Sequence, residues 1–507
     1  MSDRETRDKP RRLGARELLD TVLDDGSWTS WDGPPLAVAR PGSEYEAELA
    51  AAAEKAGTDE SIITGEGRIG GRRVAIIAGE FRFLAGSIGR TAAERIVLAF
   101  ERATREGLPM FATPSSGGTR MQEGTPAFAT MVKITSAVAV FKAAKLPYIT
   151  YLRHPTTGGV FASWGSLGHV TVAEPGATVG FLGSRVFEAL YGQPFPTGVQ
   201  TAENLYDNGL LDAVLPVEVL ATQASRFLHL LLEPRHASPI PPVAKEALAD
   251  IPAWESITRS RRPDRPGVRD LLKLGASEVI PLHGTGAGET DRSLFLALAR
   301  FGAQPCVVLG QDRSRQTPDK PLSPSGLRVA RRGMRLATDL DLPLVSIIDT
   351  SGAALSKEAE EGGLAGEIAR SLAEMVVQSQ PTLCVLLGEG TGGGAIALMP
   401  ADRVIAAQHS WLSPLPPEGA SAILFRDTSH APDLATQQHV RSLDLLAEGI
   451  VDRIVAERPD AADEPEEFCA RMAQAIAGEL SDLVAMRPAS RLAARHDRYR
   501  RIGTVLR

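Results

Sequence analysis

GRRVAIIAGE at residues 71–80 and GAQPCVVLGQ at residues 302–311 read as two copies of one strand, with Gly71 and Gly302 at an offset of 231. Working outward, LPMFATPSSGG and LPLVSIIDTSG share a Leu-Pro, Pro109 and Pro343, at an offset of 234. LPYITYLRHPTTGG and QPTLCVLLGEGTGGG share Pro147 and Pro381, again 234 apart. NGLLDAV and EGIVDRI share Gly209 and Gly449, 240 apart. A slowly drifting offset over four blocks means one fold used twice.

In the first copy VAIIAGEF, PMFATPSS, PYITYL and HVTVAE are short apolar runs, the pattern of buried strands. Between them Ala93, Ile96, Phe100 and Ala103 fall on one helical face. Thr91-x-x-Glu94 reads as a capping box, and Gly107 and Pro109 stop the helix. Leu364, Ile368, Leu372 and Met375 give a similar stripe in the second copy. Strands alternating with helices predict an α/β fold. The Pro- and charge-rich stretch 236–267 predicts a linker between domains at 14–235 and 268–486. The charged ends, 1–13 and 487–507, predict tails; the basic second one is either a solvated helix or one lying on an acidic neighbour.

The 507 residues carry a net charge of -7, which excludes a general nucleic-acid binder needing a basic surplus. Cys306, Cys384 and Cys469 are too far apart for a zinc ribbon, and no metal site is expected. The charged N-terminus has no apolar signal region, and no long uninterrupted apolar run predicts a membrane span. A cytoplasmic protein is expected.

Two glycine motifs are decoys. Gly65-Glu-Gly67-Arg-Ile-Gly70 matches a dinucleotide fingerprint, but a strand follows where a helix is required. GEGTGGG at 388–394 lacks the Lys-Ser/Thr ending of a phosphate loop. Two others carry chemistry. Thr156-Thr157-Gly158-Gly159 and Thr391-Gly392-Gly393-Gly394 each stand between an apolar strand and an expected helix. The N–H groups at a helix start have no internal partners and favour negative charge. Glycine lets a substrate oxygen approach them. Gly158, Gly159, Gly393 and Gly394 are therefore the candidate catalytic residues, as two oxyanion holes. A further loop, Ser115-Ser116-Gly117-Gly118-Thr119-Arg120-Met121-Gln122-Glu123, follows a strand end, where α/β ligand crevices open. Ser116, Gly117, Gly118 and Arg120 are its candidate substrate contacts, with Arg120 either holding a carboxylate or buttressing the loop through Glu123.

These motifs resemble the carboxyltransferase component of bacterial acetyl-CoA carboxylase. SSGGTRMQEG, LPYITYLRHPTTGGVFASWGSLG, VAEPGATVGFLGSRV and AENLYDNGLLDAV look like its β-subunit. LHGTGAGETDRSLFLALARFG, LPLVSIIDTSGA, GEIARSLAEM, LLGEGTGGGAIAL and PPEGASAIL look like its α-subunit. The resemblance implies two crotonase-like domains of repeated ββα units. It implies transfer of a carboxyl group from carboxybiotin to the α-carbon of acetyl-CoA, giving malonyl-CoA, or of a related short acyl-CoA. Gly158 and Gly159 would hold the thioester oxygen, and Gly393 and Gly394 the biotin ureido oxygen. Gly352 and Ala353 would be biotin-side contacts, in a loop Asp349–Ser356 that departs from the family's Asp-Thr-Pro-Gly-Ala-Tyr-Pro-Gly. No Met-Lys-Met biotinylation site and no ATP-grasp loop are visible. Biotin would therefore come on a separate carrier protein, charged by a separate biotin carboxylase. A head-to-tail homodimer or higher homo-oligomer is implied, and Arg120, Arg185, Arg313 and Arg328 are candidates for the CoA phosphates.

The decarboxylated biotin can accept the α-proton, so no side-chain base is required. His154 reads as local structure or as a general base. Two rivals remain: a biotin-independent crotonase-type hydratase or decarboxylase using Glu123 or Glu174, and a non-catalytic carboxylase scaffold subunit.

Overall fold

The computed structural model describes residues 12–182, 184–233, 248–317 and 320–503. The chain divides into two compact units, Met1–His229 and Leu230–Arg507, with the boundary inside the helix Val217–Leu232.

The first unit is built on a seven-stranded sheet. Its order is Thr29–Ser30, Ile62–Ile69, Arg72–Gly79, Met110–Thr113, Tyr148–Leu152, Val170–Ala173 and Ala213–Val214. The first two pairings are antiparallel and the rest parallel. Val74–Ala78 is buried at every residue, because both sheet faces are covered; hence the unbroken apolar run rather than alternation. Each fully buried Val or Ile there contributes about 1.5–3 kcal/mol.

The helix Arg90–Glu106 buries Ala93, Ile96, Phe100 and Ala103 as its spacing predicts, and ends on Gly107 in the left-handed conformation. Its start differs. Gly89 is the N-cap and Thr91 lies within the helix, so the Thr91–Glu94 capping box does not form. The Glu123 carboxylate takes the Arg90 N–H instead, at 2.8 Å. The helix Gly124–Ala143 sends Ala127, Met131, Ile134, Val138 and Phe141 into the core and leaves Phe128, Val132 and Val140 exposed. With Met121–Glu123 it is long and apolar enough to cross a membrane, by length and composition alone.

The second unit repeats this frame on an eight-stranded sheet. Glu278–Leu282, Leu294–Phe301 and Gln304–Gln311 are antiparallel neighbours. Leu344–Thr350, Thr382–Thr391, Arg403–Ala407 and Arg453–Val455 follow in parallel, and Trp411–Ser413, the eighth, pairs in parallel with Thr382–Thr391. The Gly65–Gly70 motif lies on a hairpin, as its context predicts. The turns correct the sequence register, however. Ile69 pairs with Arg72 across Gly70-Gly71, and Phe301 with Gln304 across Gly302-Ala303. Gly70 at φ 56° and Gly302 at φ 57° do the same job, so the hairpins match at an offset of 232, not 231. Because strand side chains alternate faces, one residue of slip reverses every inside-outside assignment.

Two boundary expectations change. Residues 236–247 of the expected linker lie outside the described residues, but 248–267 folds into the second unit. The helix Ala253–Ser260 packs Ile257 with Trp411, Ala435 and Val440, and Arg265 is buried in a bidentate pair with Glu457 at 2.5 and 2.7 Å. One of the charges that suggested a linker, Arg265, is thus neutralised inside, while Asp250 and Asp264 stay exposed. Of the 487–507 tail, Pro488–Arg501 is a docked helix. Its Arg495 is buried and holds both Asp402 oxygens at 2.8 Å, and Arg498 pairs with Asp452. The acidic neighbour lies within the same unit.

Candidate active site

In the first unit two loops leave the carboxyl ends of the parallel strands Met110–Thr113 and Tyr148–Leu152. They are laced together: Ser116 N–H donates to Pro155 O at 2.6 Å and Thr157 N–H to Ser116 O at 2.9 Å. The lacing brings Gly118 against Gly158 and Gly159. A Cβ on Gly118 would stand 3.7 Å from Gly158 Cα and 3.9 Å from Gly159 N. The Ser116 hydroxyl accepts the Gly118 N–H at 3.0 Å and shapes the turn.

The second unit builds the same arrangement from Leu344–Thr350 and Thr382–Thr391. The Thr350 hydroxyl accepts the Gly352 N–H at 3.1 Å, as Ser116 does for Gly118. Ala353 packs on Gly394, its N 3.3 Å from where a Gly394 Cβ would be. Gly158 and Gly392 both have φ +63°, so they are the equivalent turn residues, 234 apart.

That equivalence corrects the glycine pairing. The Gly158 N–H is engaged by the carbonyls of Gly180 and Phe181 at 3.1 and 3.0 Å. Its role is the left-handed turn, which glycine adopts without strain. Among the described residues, the N–H groups of Gly159 and Val160 have no partner, and neither do those of Gly393 and Gly394. The matched positions are therefore 159 with 393 and 160 with 394. Residues 158–163 form turns leading to a short 3-10 helix, Trp164–Ser166, not the expected α-helix. Gly392–Ile396 is a short α-helix. A cavity of about 740 Å³ opens beside it, bordered by Gly392, Gly393, Ile396, Leu412, Leu445 and Ile502.

Arg120 does not face a substrate. It is fully buried, and it pairs with Glu60, 3.0 Å from Nη1 to Oε2, and donates to Ser87 O at 2.7 Å. Glu123 lies 3.4 Å from Arg120, and accepts from Tyr45 Oη at 2.7 Å as well as from Arg90. Burial pushes the Glu123 carboxyl up, but the Arg90 N–H, Tyr45 and Arg120 outweigh it and hold it below the usual carboxylate range. The whole group is a brace behind the Gly117-Gly118 turn. Ser116 is likewise buried in the turn, whereas Gly117 is exposed.

The other candidates are also engaged internally. Arg313 donates to Ser260 O and Arg262 O, and Arg328 to Glu289, Glu367 and Gly362 O. The Arg185 side chain lies outside the described residues. His154 Nδ1 accepts the Thr178 N–H at 3.0 Å, a structural role, and Glu174 accepts the His154 N–H at 3.0 Å. The rival reading's carboxylates are thus tied into the scaffold. Burial raises the pKa of all three cysteine thiols, so none is an activated nucleophile.

Sequence reasoning missed Glu60, Tyr45, Gln311 and Gln316. Gln311 donates from Nε2 to Gly394 O at 2.7 Å and accepts the Asp349 N–H at 3.2 Å. Gln316 accepts from Thr350 Oγ1 at 2.6 Å and donates to Asp349 O at 3.3 Å. Single polar residues reaching across strands leave no spacing pattern to read.

Comparison with known proteins adds to this geometry. A family model described as carboxyl transferase domain matches residues 21–492. The probable biotin-dependent acyl-coenzyme A carboxylase beta3 subunit of Mycobacterium tuberculosis is 58% identical over 492 residues, covering 97% of this chain and 99% of that protein. The acetyl-coenzyme A carboxylase carboxyl transferase subunits beta/alpha of a Parafrankia species is 34% identical over 533 residues, covering 97% and 86%. Transcarboxylase 12S, solved as a hexamer with methylmalonyl-coenzyme A and methylmalonic acid bound, superposes with a TM-score of 0.73 at 20% identity, covering 94% of this chain and 91% of that one. The shared fold is the crotonase-like α/β domain, present twice.

Proposed function

The chain belongs to the carboxyl transferase family, and on that premise we propose that it is the carboxyltransferase of a biotin-dependent acyl-CoA carboxylase. It moves a carboxyl group from biotin on a separate carrier protein to the α-carbon of acetyl-CoA, or of a related short acyl-CoA. The observation that carries this reading is the matched pair of turns, each presenting two successive N–H groups without partners among the described residues. Gly159 and Val160 receive the thioester oxygen as negative charge develops on it during loss of the α-proton. Gly393 and Gly394 receive the ureido oxygen of biotin. The residues fit that group: two open amides stand beside a cavity with the apolar walls Ile396, Leu412 and Leu445. When bound, biotin supplies the carboxyl group and a site for the α-proton. Preorganised amides of this kind are worth ~2.7–4 kcal/mol each in the transition state.

The two turns belong to different units, and a complete site needs both. A head-to-tail homodimer or a larger homo-oligomer in the cytoplasm, served by a biotin carboxylase and a carrier protein, meets that need. The test is reverse transfer from malonyl-CoA to free biocytin by the full-length chain. Gly394→Val, whose side chain meets Leu322 and the Ala353 backbone, abolishes transfer while the fold persists. Unchanged turnover would reject the site. Decarboxylation wholly independent of biocytin would favour a crotonase-type hydratase or decarboxylase.

A further inference from the structure

Three consecutive glycines, Gly392 to Gly394, are a poor way to hold two amides still, because glycine has the most backbone freedom to lose. Packing supplies part of the restraint: Ile368 lies against Gly393, and Leu322 and Ala353 against Gly394. One side-chain hydrogen bond reaches residues 392–394 among the described residues, from Gln311 Nε2 to Gly394 O at 2.7 Å.

Gln311 is the last residue of the strand Gln304–Gln311 and is fully buried. Its other amide atom, Oε1, accepts the N–H of Asp349 at 3.2 Å. Asp349 is the next-to-last residue of the strand Leu344–Thr350, and the loop that follows carries Gly352 and Ala353, which packs on Gly394. Asp349 is itself fixed, its Oδ1 accepting the Glu389 N–H at 3.1 Å and its carbonyl accepting from Gln316. A single planar group therefore ties both segments of the second turn to the sheet. Only a side chain with one donor and one acceptor at this length makes both bonds.

We propose that Gln311 is a positioning residue for carboxyl transfer: its amide clamps Gly394 and Asp349, and so sets the aim of the Gly393 and Gly394 N–H groups at the biotin oxygen. This rests on the function proposed above. Displacing a catalytic contact by about 1 Å costs on the order of 100-fold in rate. The clamp touches only the second turn, so its loss acts on turnover and not on capture of the acyl-CoA.

The experiment is biocytin carboxylation by the full-length protein with malonyl-CoA and, in parallel, methylmalonyl-CoA. Gln311→Asn keeps a donor and an acceptor but is one carbon too short to span Gly394 O and the Asp349 N–H. Gln311→Met keeps the length and loses both groups. Circular dichroism identifies the folded variants, and Gln311→Asn alone suffices if Gln311→Met does not fold. The expected result is a kcat lower by about 10- to 100-fold, with KM for the acyl-CoA within twofold of the parent. A folded Gln311→Asn with parental kcat overturns the proposal, as does a variant whose whole defect is a raised acyl-CoA KM. Gly394→Val separates the two levels. If it abolishes transfer while Gln311→Asn does not impair it, the clamp alone is wrong; if Gly394→Val is indifferent, the site assignment falls and takes the clamp with it.

Discussion

At the end of the second hairpin strand the first unit has Gly79 where the second has Gln311, at the matched offset of 232. In the first unit no side chain fits there: a Cβ on Gly79 would stand 2.6 Å from Ser115 N. In the second, the Gln311 amide holds the N–H of Asp349, the residue equivalent to Ser115. The reverse holds further on. Arg120 N–H donates to Ile88 O, and its equivalent Ala354 N–H donates to Leu322 O, but only Arg120 carries a charged group inward. Two copies of one frame thus brace the same turn from different positions, one with ions and one with a neutral amide. A glycine turn needs a brace, and the frame does not dictate where it stands.

The comparison breaks most visibly on stability. Arg120→Met leaves Glu60 buried without its cation, while Glu123 keeps Arg90, and a loss of about 3–5 kcal/mol is expected. Gln311→Met leaves a carbonyl and an N–H unpaired, for about 1–3 kcal/mol. Urea unfolding of both variants checks the order; a larger loss at Gln311 would contradict it.

Acid titration sharpens the contrast, because the carboxyls beside the two turns are shifted in opposite directions. Glu123 is held below its ordinary range, so its stabilisation is present above the unfolded-state value and is lost as pH falls through the folded one. Glu123→Gln therefore costs most at neutral pH and progressively less in acid. Asp349 is raised by burial, with Arg313 the first of the opposing influences. A raised carboxyl penalises the fold above its folded-state pKa, and the penalty vanishes as pH falls below the unfolded value. Relative to the parent, Asp349→Asn is thus most favourable at neutral pH and loses that advantage in acid. Melting temperatures of the two variants against pH should diverge with opposite slopes; parallel slopes would show that the two carboxyls titrate alike.

The smallest effect tests what the units share. Gly158→Ala and Gly392→Ala each force a side chain onto φ +63°. Each should lose about 1–2 kcal/mol, with Gly392→Ala slightly the worse because Pro414 O lies 3.3 Å from its new Cβ. A several-fold difference between them would mean that the two turns are not equivalent.

Much of this was legible in the sequence, because it is written in spacing. The apolar strands, the Ala93–Ala103 stripe, the duplication and both glycine turns all repeat at fixed distances. The failures share one physical cause. Which of two adjacent glycines makes a turn depends on φ, and the string GG in the first hairpin hid a one-residue slip. The same ambiguity moved the open amides from Gly158 to Gly159 and Val160. Arg120 read equally as a substrate ligand or as a buttress through Glu123; the second holds, and its main partner Glu60, sixty positions earlier, left no visible sign. Residues 248–267 read as a linker because they are charged, and 488–501 as a helix either solvated or lying on an acidic neighbour; only the fold brings Glu457 and Asp402 to meet them.

The docked helix Pro488–Arg501 has one practical consequence. Arg495 and Asp402 have side chains almost wholly withdrawn from solvent, at 0% and 3% exposure, so mobile ions cannot approach the pair closely. High ionic strength, which loosens surface contacts, should leave this helix seated. Chromatography in concentrated salt will then strip loosely bound partners from the protein without unmaking the wall that Ile502 lends to the cavity.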